Sequence, residues 1–171
     1  MRIRPRSVAA AVAATGLLAA VAGHAATRTL VFQANASGPC QAALPAFEGL
    51  IRKRPAALQN EGDNVAFITC SPDTLQNLPS EGDRYGMLFR NLTAAPVTVN
   101  CTAVFADGAG NAAWSLVKSV AIAANATNQV WWSGVDNVPE NNLMTFNTSC
   151  ALPPGVGITT LLRIQSLDVG T

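Results

Sequence analysis

The sequence predicts an all-β domain, an antiparallel β-sandwich of the Ig-like or jelly-roll-like kind, with seven to eight strands and two disulfides. Three observations carry that expectation. Apolar and polar residues alternate over short runs, as they do in strands with one buried face. Turn signals rich in Gly, Pro, Asn and Asp separate the runs. Four cysteines, Cys40, Cys70, Cys101 and Cys150, form an even set in a chain that opens with an export signal.

The opening "MRIRPRSVAAAVAATGLLAAVAGHA" sets Arg2, Arg4 and Arg6 ahead of an apolar run from Val8 to Val21, and Gly23 and Ala25 then complete a small-residue cleavage site. Residues 1–25 read as a secretory signal peptide of ordinary bacterial Sec type, and residues 26–171 as a single domain. The apolar run is short for a bilayer span. No later run is long enough, so no transmembrane segment is expected after signal removal. The expected location is secreted or periplasmic.

Processing would leave eight basic residues against ten acidic ones, a net charge of −2. That offers no basic field for nucleic acid and too little charge for disorder. The single histidine, His24, would leave with the signal. A domain without histidine cannot run Ser-His-Asp or Cys-His catalysis or build a His-ligated metal site.

Candidate strands follow in order: Arg28–Gln33, Asn64–Cys70, Arg84–Asn91, the run "VTVNCTAVF" from Val97, Ala113–Ile122, Gln129–Ser133, the run "LMTFNTSCAL" ending at Leu152, and Gly157–Leu167. Between them fall "EGD" twice, "LTAAP", "DGAGN", "ANATN", "DNVPENN" and "LPPGVG". "DGAGN" between two alternating runs predicts a hairpin. The segment Pro39–Leu58 is expected to hold at most a short helix, because Pro45 and Pro55 limit it. Val97, Val99, Cys101, Ala103 and Phe105 share one strand face, as do Met144, Phe146, Cys150 and Leu152. Both runs turn a cysteine to the core, as an inter-strand or inter-sheet bridge needs. Of the three possible pairings, Cys40–Cys70 with Cys101–Cys150 is preferred; the other two stay open.

With "ASGPCQ", "VAFITCSPD", "VTVNCTAVF" and "FNTSCALPPGVGITTLLRI" in this order, the chain resembles a group of small exported bacterial proteins of no assigned activity. The cysteine order and the "CALPPG" ending are the most specific parts of that resemblance, which spans most of residues 35–166. It implies a secreted β-sandwich with disulfides and transfers no catalytic residue. The basic "IRKRP" between Cys40 and Cys70 departs from the group's pattern.

Candidate sites are few. In "NQVWWSG" the neighbours Trp131 and Trp132 must point to opposite faces of a regular strand. Val130 marks the Trp132 side as core and leaves Trp131 outward. An indole there is more often covered by a loop such as "DNVPENN"; left open, it would be a stacking residue for a sugar or partner. Tyr85 is the second ligand-binding candidate. Glu61 with Asp63, Glu81 with Asp83, and Asp107 with Asn111 could offer oxygens to calcium, but none matches a calcium-loop pattern and turns use the same residues. No metal, cofactor or catalytic residue is assigned. Arg52, Lys53 and Arg54 form a basic cluster expected to be solvated. The N-x-S/T sequons at Asn35, Asn91, Asn100, Asn125 and Asn147 are read as chance behind a bacterial signal. The functional expectation is a non-enzymatic envelope or extracellular interaction protein with a protein or glycan partner. The alternative is a small carbohydrate-binding module using Trp131, with Tyr85 and acidic loop residues.

Overall fold

Alternation in the sequence becomes two facing antiparallel sheets in the computed structural model, which describes residues 26–71, 84–106, 112–133 and 145–168. The elements are β1 (Thr27–Asn35), β2 (Cys40–Ala42), α1 (Pro45–Glu48), β3 (Ile51–Arg54), β4 (Ala57–Asn60), β5 (Ala66–Cys70) and β6 (Arg84–Asn91). They continue with β7 (Val97–Ala106), β8 (Ala112–Ile122), β9 (Thr127–Ser133), β10 (Thr145–Leu152) and β11 (Val156–Asp168). One sheet runs β3-β4-β11-β6-β9, with β1 also paired to β11; the other runs β2-β5-β10-β7-β8. The proposed signal peptide and the turns "DGAGN" and "DNVPENN" lie outside the described residues, but β7 and β8 on either side of "DGAGN" do pair antiparallel.

The eleven strands among the described residues exceed the seven or eight expected because residues 40–60 hold three short ones. β3 and β4 form a hairpin from Ile51 opposite Asn60 to Arg54 opposite Ala57. The helix foreseen in this segment is reduced to the single turn α1, with proline in its first turn and Gly49 at its end.

Inward positions of the two sheets meet in one core. Tyr85, Met87 and Phe89 of β6, Val130 and Trp132 of β9, and Ile158 and Leu161 of β11 are buried against Ile68, Val99, Phe105, Phe146 and Leu152 of the other sheet. Tyr85 stacks on Phe146 with ring centroids 4.4 Å apart, and Phe105 and Trp132 approach Phe146 at 5.2 and 5.8 Å. Such aromatic clusters add to what burial alone supplies.

Both disulfides lie within the second sheet. Cys40 bonds Cys70 across β2 and β5, and Cys101 bonds Cys150 across β7 and β10, each pair directly opposite in register. The preferred pairing therefore holds, and its bridges are inter-strand rather than inter-sheet. The Cys150 sulfur rests 3.9 Å from the Met87 sulfur of the facing sheet.

Where the chain leaves the first sheet for the second, the same device appears twice. Asn60 ends β4 and Asn91 ends β6, and both are fully buried. The Asn60 amide donates to the carbonyls of Asn64 and Leu152, each at 2.8 Å, while its oxygen accepts from Gly62 N–H. The Asn91 amide donates to Ala95 and Ala123, and its oxygen accepts from the N–H and hydroxyl of Thr93. Each asparagine satisfies its own turn and ties it to the opposite sheet. The turn after Leu152 joins both corners: Gly155 N–H donates to Asn60 O, and Gly155 O accepts from Leu92 N–H. Gly155 takes φ +74°, the left-handed conformation that the "LPPG" turn requires.

Candidate functional site

Strand parity sends Trp131 and Trp132 to opposite sides of β9. Trp132 is wholly buried in the core, and its indole N–H has no hydrogen-bond partner among the described residues. Trp131 is half-buried on the outer face of its sheet, directly across from Gly86 of β6. A Cβ at Gly86 would stand 2.5, 2.6 and 2.9 Å from Cε3, Cζ3 and Cδ2 of Trp131. A point beyond the ring's edge at Cε3 and Cζ3 would lie much further from Cδ2. The near-equal distances place it over the ring face instead. One face of the indole therefore covers the space above the Gly86 backbone that a side chain would otherwise fill.

Register defines the surroundings of that ring. The row through it runs Gln33, Leu162, Gly86, Trp131 across β1, β11, β6 and β9. The next row runs Asn35, Thr160, Leu88, Gln129, and the row on the other side runs Val31, Ile164, Arg84, Ser133. Leu88, Leu162 and Ile164 are half-buried, so the floor is apolar, while Gln33, Gln129, Arg84 and Arg90 are exposed around it. At a strand spacing of about 4.8 Å, the four-strand floor is roughly 14 Å wide. The edge carrying Trp131 is fixed from the other sheet: Lys118 Nζ donates to Trp131 O at 2.7 Å, and Asn128 Nδ2 donates to Ala121 O at 2.7 Å.

Gly86 is the residue that sequence reasoning missed. It reads as an ordinary strand glycine, and only the pairing of β6 with β9 shows that it is the seat of an indole. Gly86→Ala is expected to lift the ring from the sheet. The measurement is acrylamide quenching, with Trp131→Phe and the Gly86→Ala/Trp131→Phe double variant isolating the Trp131 signal. Quenching unchanged by Gly86→Ala would mean that the ring is not seated there. A stability loss of about 1–3 kcal/mol is expected alongside, as for other overpacked sites.

The other sequence candidates do not join Trp131. Tyr85 is buried on the inward side of β6, against Phe146 and beneath the Arg163 guanidinium, whose carbon lies 5.5 Å from the ring centre. It is the neighbour of Gly86 in sequence and therefore faces the other way. Glu61 is engaged by Arg54 in two hydrogen bonds of 2.7 Å, and Arg52 donates to the carbonyls of Gly49 and Ile51. The basic cluster is thus a strand whose two arginines are held locally. Asp63 is exposed, while Glu81, Asp83, Asp107 and Asn111 lie outside the described residues. Among the described residues, no three His, Cys, Asp or Glu side chains are placed to hold a metal ion. The sequon at Asn91 is fully buried, closed to any modifying enzyme in the folded state.

The fold and this face together define a disulfide-stapled β-sandwich with an aromatic ring laid on the outside of one sheet. No family model and no curated protein matches the chain. Among solved structures, it is similar to the C-terminal family 22 carbohydrate-binding module of Clostridium thermocellum Xyn10B. That match has 11% identity and a TM-score of 0.39, and covers 82% of this chain and 86% of the other. It is also similar to TmCBM61, solved in complex with β-1,4-galactotriose, at 11% identity and a TM-score of 0.34 over 81% and 88% of the two chains. A CBM4 structure matches at 12% identity and a TM-score of 0.35 over 82% and 84%. At this level the likeness carries no argument about ligand.

Proposed function

We propose that this is an exported, non-enzymatic binding protein of the bacterial envelope or extracellular space, and that its ligand is a glycan stacked on Trp131. The observation that carries the reading is a half-buried indole on the outer side of the sheet, one face seated over Gly86. A pyranose ring presents an apolar face of C–H groups, and the electron-rich face of an indole attracts them. The apolar floor of Leu88, Leu162 and Ile164, edged by the amides of Gln33 and Gln129, suits a ligand with apolar faces and hydroxyl edges. Two formed disulfides fit an oxidising compartment. The absence of histidine from residues 26–171 fits a binding role rather than acid–base catalysis at neutral pH.

Trp131→Ala is expected to abolish retention on the glycan that the wild type binds while leaving the protein folded, its thermal midpoint lowered by only a few degrees. Affinity electrophoresis through immobilised polysaccharides, with unfolding followed by circular dichroism, checks both. Retention that survives the substitution would move the site elsewhere. Capture of an envelope protein by a wild type that ignores every glycan would favour a protein partner instead.

A further inference from the structure

Resting on the glycan reading above, we infer that the ligand is an anionic glycan, one bearing uronate carboxylates or comparable acidic groups. Charge on this one face carries the argument. Along β6 the outward positions read Arg84, Gly86, Leu88, Arg90, so the seat of Trp131 lies between two exposed arginines. Six residues of strand set their backbone positions about 20 Å apart, a span that reaches beyond one sugar ring in both directions. Arg52 stands at a third outward position, in the row Arg52, Gln59, Gly157, Arg90, Thr127.

Among the described residues, Glu48, Glu61 and Asp63 are set away from this floor. Glu61 is held by Arg54, and Glu48 and Asp63 lie on α1 and in the turn after β4. Guanidinium groups pair with carboxylates through two parallel hydrogen bonds, which a neutral sugar cannot accept in the same way. An aromatic floor flanked by guanidiniums therefore selects a polymer that offers flat apolar ring faces and carboxylates on one strand.

The test compares polygalacturonate, a neutral β-glucan and poly-L-glutamate as ligands for the oxidised, processed protein at low and high salt. The variants are Trp131→Ala and the double substitution Arg84→Gln/Arg90→Gln. The expected result is binding of polygalacturonate that weakens with salt and is lost in Trp131→Ala. The arginine double variant should lower that affinity roughly three- to tenfold and flatten its salt dependence. Its affinity for the neutral glucan, however weak, should not change. Equal binding of neutral and acidic glycans, lost with Trp131 but indifferent to both arginines, would overturn this inference and leave the stacking reading standing. Failure to bind either glycan would overturn both. So would poly-L-glutamate binding as tightly as polygalacturonate and independently of Trp131, because the face would then be a general anion surface. Both arginines are exposed, and an unchanged unfolding midpoint confirms that the double variant is folded.

Discussion

Replacing Cys101 and Cys150 together by alanine is expected to lower stability by about 4 kcal/mol, and replacing Cys40 and Cys70 by slightly less, about 3.6 kcal/mol. The ordering follows from the loops that the bridges close, with sequence separations of 49 and 30 residues. Each figure is a large part of the net stability of a domain this size, typically about 5–15 kcal/mol. The larger loss also has a native-state component, since the Cys150 sulfur fills space against Met87 and its removal leaves a gap in the core. Guanidinium denaturation of the two double variants under non-reducing conditions measures both. If the shorter loop proved the more costly, closure entropy would not be what these bridges contribute.

Asn91→Ala is expected to cost about 3 kcal/mol, far more than a surface asparagine, because it strands several buried partners at once. The carbonyls of Ala95 and Ala123 lose their donor, and the N–H and hydroxyl of Thr93 lose their acceptor. Asn91→Asp separates the two halves of the side chain's work. It keeps the acceptor for Thr93 but turns an anionic oxygen toward carbonyls in a fully buried position. Burial and those carbonyls raise the folded-state pKa of the new carboxyl above its unfolded value. Its penalty is therefore fullest above the folded pKa and shrinks as pH falls toward the unfolded one. Urea midpoints measured from neutral to acidic pH should show the aspartate variant gaining on the wild type as pH drops. An aspartate variant that tracks the wild type at every pH would show that the amide donors contribute little.

Both sets of predictions rest on residues that the sequence displays unequally. Period-two runs around Cys101 and Cys150 announced core-facing cysteines because each strand buries one face along most of its length. β6 was legible to the residue, and Trp132 separated from Trp131, for the same reason. The hairpin of β3 and β4 was hidden. Only Ile51 is buried in β3, and β4 buries Leu58 beside an asparagine, so hydrophobic alternation never develops. Asn60 and Asn91 looked like turn residues, which they are, but their reach to the other sheet depends on contacts tens of residues away. The seat of Trp131 is likewise long-range: nothing local to Gly86 indicates that β9 will lie beside it. Arg84 and Arg90 were unremarked for the same reason, since a charge becomes part of a site only once a fold places it beside something.

The pairing of β1 with β11 has a mechanical consequence. Thr27 lies opposite Asp168 and Asn35 opposite Thr160, so the ends of the described chain leave the sheet side by side. Antiparallel ladder bonds run perpendicular to the strands. Tension applied between residues 27 and 168 would therefore load those bonds one at a time and peel β1 away like a zip, rather than shearing them all together. A protein tethered or extended through these two ends would yield at low force from the sheet that holds Trp131. The second sheet, with four of its five strands cross-linked in pairs, would outlast it under the same pull.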